Sequence, residues 1–156
     1  MASFYWYERE PALWNNERTA MQTFFPQFRW SKLDDGRLSW VGTVRPRGEV
    51  GLPWTLQLVY NNNHPSNSTY GGSITVYAID PDLDDLAKKF GTLPHVLRDS
   101  KGHLCLCTAR SEDFKVDNQA TTSAASALGW ACKWIFVFEE WVMKGHVGDE
   151  IFGETY

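Results

Sequence analysis

Cys105 is the residue of this chain best suited by type and setting to covalent chemistry. It lies in the run Gly102-His103-Leu104-Cys105-Leu106-Cys107, ten residues after His95 of Leu93-Pro94-His95-Val96. The turn between them holds Asp99-Ser100-Lys101-Gly102. Sulfur attacks as thiolate, so it needs help with deprotonation or an acyl group that arrives already activated. His95 is the titratable neighbour across the turn. A Cys-His protease pair normally has its histidine oriented by a third polar residue, and none stands out here.

Blander uses of the same residues compete with this one. Free cysteine is among the most buried residue types, so Cys105 and Cys107 also read as packing residues. If the run is extended, both thiols face one way and Leu104 and Leu106 the other. A metal set of Cys105, Cys107, His103 and Cys132 lacks the two-residue gap of common zinc pairs, so no metal or cofactor is expected. Three cysteines, two of them two positions apart, make a poor disulfide framework. Asp99, Asp113 and Asp117 flank the cysteine, and a flanking acid is more often simply solvated. His64-Pro65 and His146 read as a turn and a helix end.

The elements that must position the cysteine can be read from hydrophobic period. Glu10-Pro11 starts a helix, since proline fits the first turn. Leu13, Glu17, Met21 and Phe24 follow at helical spacing, and Pro26 ends the run. After Asp34-Asp35-Gly36 the period becomes two. Leu38 to Val44, Trp54 to Tyr60 and Ile74 to Ile79 then read as three strands of an antiparallel meander. Pro46 to Pro53 and Asn61 to Gly72 read as loops. From Pro81 the chain reads as an irregular, acidic-then-basic segment leading to Pro94-His95. Ala124, Leu128, Ala131, Ile135, Phe138 and Val142 mark a C-terminal helix, with Ala127, Trp130, Trp134, Val137 and Trp141 as a second stripe. Thr121, Thr122 or Ser123 caps its start and Lys144-Gly145 its end. Helix, meander, cysteine-bearing irregular segment and helix make an α+β domain over residues 1–156.

Composition narrows the function classes. The chain has 156 residues, 43% apolar and 22% charged, which suits one globular core. A net charge of -4 gives no electrostatic case for nucleic acid. No apolar run reaches membrane-spanning length and no leader pattern opens the chain, so no membrane partner and a cytoplasmic setting are expected. Eight tryptophans are the unusual count. They motivate an alternative, an aromatic-rich sugar- or peptide-binding module using Asn61-Asn62-Asn63. The broad apolar surface of the last helix motivates a possible homodimer.

The cysteine region resembles the ubiquitin-conjugating enzyme fold, in which His-Pro-Asn precedes Gly-x-(Ile/Leu)-Cys-Leu. Leu93-Pro94-His95-Val96 lies at the first motif and Gly102-His103-Leu104-Cys105-Leu106 at the second. Leu93 replaces the motif histidine, His95 replaces the asparagine, and the gap to the cysteine is longer than in the eukaryotic pattern. The element order is similar over roughly residues 9 to 145. In a divergent bacterial branch a histidine commonly replaces that asparagine and a Trp-rich helix follows. Ala131-Cys132-Lys133-Trp134-Ile135 with Glu140-Trp141 and Lys144-Gly145 resembles that ending. Such proteins occur in CBASS antiphage operons.

The resemblance implies a thioester-forming transferase, with Cys105 as nucleophile and His95 as oxyanion donor or proton acceptor. Cys107 is the competing nucleophile; the flanking Gly-x-Leu and Leu favour Cys105. The implied passenger is the C-terminus of a cGAS-like nucleotidyltransferase or of a ubiquitin-like protein, passed to an acceptor amine on another protein. No Gly-rich phosphate loop is present, so another protein must supply the acyl group in activated form. A non-catalytic binding module of the same fold is the alternative.

Overall fold

A computed structural model describes residues 4–66, 73–106 and 122–144. The three segments with two-residue period form the centre of its sheet. These are β2 (Leu38–Val44), β3 (Trp54–Tyr60) and β4 (Ile74–Asp80), paired antiparallel in sequence order. In β3 the alternation runs from Trp54 to Leu58, after which Val59 is buried as well. Leu56, Leu58 and Tyr60 are buried, while Thr55 and Gln57 are half-buried on the other face.

The sheet is larger than the expected three-stranded meander. Among the described residues it has six strands, because β1 (Arg29–Lys32), β5 (Val96–Arg98) and β6 (Leu104–Leu106) join it in the order β1-β2-β3-β4-β6-β5. All four residues of β1 are exposed, so that edge strand carries no alternating pattern. The cysteine-bearing segment is likewise corrected from irregular to paired: β5 and β6 form an antiparallel hairpin docked on β4.

Among the described residues four α-helices accompany the sheet. The short α1 (Trp6–Arg9) precedes α2 (Pro11–Phe24), which starts on its proline as the sequence indicates. Phe24 belongs to the expected apolar stripe but is exposed, leaving Glu17 and Met21 as the buried positions of α2. The acidic-then-basic stretch is a further helix, α3 (Leu83–Phe90). Asp82 caps it by accepting from the Asp85 amide, Asp84 and Asp85 occupy its first turn, and Lys88 and Lys89 its last. That charge order complements the helix dipole. The long α4 (Ala124–Met143) buries Leu128, Ala131, Trp134, Ile135 and Phe138 in the core shared with Leu56, Leu58, Val76 and Leu106. Trp54 of β3 meets Trp134 and Phe138 edge-on, at ring separations of 6.1 and 5.9 Å. The architecture is therefore α+β, with a helix before the sheet and a helix after it.

Candidate functional site

The β5–β6 hairpin holds Cys105 in a closed arrangement. Val96, Leu97 and Arg98 face Leu106, Cys105 and Leu104 in register. The turn is closed by Asp99 N–H to His103 O at 2.9 Å and Gly102 N–H to Asp99 O at 3.0 Å. Gly102 has φ 83°, a left-handed conformation that glycine adopts without steric cost. The Asp99 carboxylate organises the turn: Oδ1 accepts from the amides of Lys101 and His103, both at 2.9 Å. Its Oδ2 accepts from the Tyr77 hydroxyl at 2.7 Å, across from β4. The Tyr77 bond is the main influence holding the Asp99 carboxyl below its usual range. Burial, then the bond to Asp99, pushes the Tyr77 phenol up.

Leu104 and Leu106 point into the core, so alternation puts Cys105 on the opposite face of the sheet. Its Sγ donates to the Leu97 carbonyl at 3.4 Å. The residue is only 5% exposed, on the strand that lies between β4 and β5. A recess of about 60 Å³ adjoins it, lined among others by Thr75, Leu97, Arg98 and Asp99.

His95 is exposed and immediately precedes β5, two residues before the register partner of Cys105. Its φ of 52° is rare for a non-glycine residue. The two residues before it explain how the chain holds that shape. Leu93 is buried in the core, and the Pro94 carbonyl accepts from the Trp134 indole N–H at 3.0 Å. Leu93, the departure from the motif histidine, thus replaces polar anchoring by apolar anchoring.

Cys107, Asp113, Asp117 and His146 lie outside the described residues. His103 is exposed at the hairpin turn, while Cys132 is half-buried on α4 with its thiol pushed up to about 11 by burial. Among the described residues no three His, Cys, Asp or Glu side chains converge as a metal site. Tyr77 was not legible as a site residue, because a tyrosine on a strand reads first as packing. Asp99 was legible only as a flanking acid.

A second polar cluster sits in the core. Glu17 Oε1 accepts from the Tyr60 hydroxyl and from the Ala124 amide, each at 2.8 Å. The Trp40 indole donates to Tyr60 at 2.9 Å. His64, 3% exposed, lies against the rings of Trp6 and Tyr60 and shares a 3.0 Å hydrogen bond with Ser73 Oγ through Nδ1. Burial lowers His64 to about 4 and raises Glu17. The 3.9 Å approach of His64 Nε2 to Glu17 is therefore that of a neutral imidazole, not an ion pair. The Asn61-Asn62-Asn63 loop also serves structure: Asn62 accepts from the Trp6 amide and donates to the Phe4 carbonyl.

The family described as Type II CBASS E2 protein matches residues 17–148, and the chain belongs to it. That membership gives the protein a role in CBASS antiphage defence as an E2-like, ubiquitin-conjugating-type protein. No curated protein and no solved structure matches. Among the described residues no helix is long and apolar enough to cross a membrane.

Proposed function

We propose that this protein is a thioester-carrying transferase with Cys105 as its nucleophile and His95 as its oxyanion donor or proton acceptor. Family membership carries this reading, since an E2-type protein works through a cysteine thioester and Cys105 occupies the matching Gly-x-Leu-Cys-Leu run. The Cys105 thiolate attacks the carbonyl carbon of an activated thioester. The tetrahedral intermediate collapses and releases the donor's thiolate. An amine of the acceptor protein then attacks, loses its proton, and expels the Cys105 thiolate as an amide forms. The passenger is the C-terminus of a partner encoded with it, in our reading a cGAS-like nucleotidyltransferase. For loading, Sγ must leave the Leu97 carbonyl and react through the recess that Cys105 lines together with Thr75 and Asp99.

A second reading is favoured by one observation, the enclosure of the thiol: a non-catalytic binding module in which Cys105 only packs. The aromatic-groove alternative has less support, because Trp6, Trp40, Trp54, Trp134 and Trp141 are all buried. Non-reducing gels of protein recovered from cells carrying the native operon separate the two remaining readings. The transferase gives a reductant-sensitive adduct, Cys105→Ser a reductant-resistant ester, and Cys105→Ala neither. His95→Ala loads but discharges on the order of 10²-fold more slowly. A folded protein that shows no adduct in any of these forms is a binding module.

A further inference from the structure

The β5–β6 hairpin is a weak element on its own terms. Each strand has three residues, and a short two-stranded hairpin is marginal in water. Its ladder to β4 includes a single registered pair, Val76 with Leu106, at the end away from the turn. The turn end is held by side chains instead. Tyr77 of β4 donates its hydroxyl to Asp99, while Asp84 of α3 reaches Arg98 at 3.7 Å and the Leu104 amide at 3.5 Å. The opposite end is held by Leu93 and by the Pro94–Trp134 bond. Cys105 lies between the two anchored ends. Tyr77 follows Val76 as Cys105 precedes Leu106, so phenol and thiol share one face of the sheet.

We propose that Tyr77 and Asp99 are positioning residues for Cys105: their hydrogen bond clamps the hairpin turn to β4 and fixes where the thiol sits relative to Leu97 and His95. This rests on the reading of Cys105 as the nucleophile. The Tyr77 hydroxyl is bonded to Asp99, and Asp99 to the turn amides. The two residues set how often the hairpin opens and which geometry the thiol keeps when it reacts. A clamp of this kind has opposite effects on two reactions of one sulfur. A small reagent needs the thiolate and a clear path to it but no fixed approach, and loosening opens that path. Thioester loading needs a fixed approach past His95, which loosening degrades.

Tyr77→Phe removes the hydroxyl and leaves the ring, together with both Asp99 bonds to the turn amides. Iodoacetamide labelling followed by fragment mass spectrometry reads Cys105 separately from Cys107 and Cys132. The expected result is severalfold faster labelling of Cys105 with Cys132 unchanged, and a severalfold smaller reductant-sensitive adduct in cells carrying the native operon. Asp99→Asn keeps an acceptor oxygen, so it moves both readouts in the same directions but less. Unchanged labelling of Cys105 in Tyr77→Phe overturns the clamp, and faster labelling with an undiminished adduct overturns the positioning role. If the unmodified protein forms no adduct at all, the transferase reading fails, while the labelling arm still decides the clamp.

Discussion

His64 shows how much a buried ring can do without chemistry. It is enclosed by Trp6, Tyr60 and Ser73, and burial depresses it to about 4. The unfolded chain therefore takes up the proton first as pH falls below roughly 6.5, and the contribution of His64 is lost progressively between there and 4. At pH 5 this loss amounts to about 2 kcal/mol. Glu17 acts in the opposite sense, since its raised carboxyl is protonated in the folded state first. Comparing denaturation of the parent and His64→Gln at pH 7.5 and pH 5 isolates the histidine. The parent should lose more stability on acidification than the variant, and parallel profiles would refute the assignment. At this scale the sequence revealed the thiol and the histidine before β5, because cysteine and histidine advertise their chemistry. Tyr77 and Asp99 were not legible as a pair. They lie 22 residues apart, and only strand pairing brings them to 2.7 Å.

Elements were legible in proportion to their length and to the regularity of their period. The helices α2 and α4 and the strands β2, β3 and β4 are the longest of their kinds, and each is found where the pattern puts it. Strands of three or four residues, such as β1, β5 and β6, are too short to show a period. The segment of α3 reads as irregular because it is short, although its charge order, acids first and lysines last, is itself a helix signal. The cap of α4 offers a test at this scale. Ser123 Oγ accepts from the Ser126 amide at 3.1 Å. Ser123→Ala should cost about 1 kcal/mol in urea denaturation, with an unchanged m-value, whereas Ser123→Asp should retain most of the stability. An equal loss in both variants would show that the hydroxyl packs and does not cap.

For the whole molecule, the tryptophans decide between a core and a recognition surface. Five of the eight are buried, Trp14 and Trp130 are half-buried, and Trp30 on β1 is 46% exposed. Trp14 meets Trp30 edge-on at 5.3 Å and Trp40 at 5.9 Å, so the aromatic array runs from the core out to the sheet edge. Iodide should quench only a minor fraction of the intrinsic fluorescence, and Trp30→Phe should remove most of that fraction. Quenching of most of the emission would instead place the indoles in an open groove.

Glu17 closes the first turn of α4 from 107 positions away in sequence. A chain emerging from a ribosome presents that carboxylate long before the amide of Ala124 exists. Until then Glu17 has Tyr60 as its partner and the core lacks its last helix. Closure of this kind waits on synthesis, because the contact cannot form before α4 exists, and its loop entropy must then be overcome. The N-terminal half thus completes its buried polar cluster only once α4 has been made.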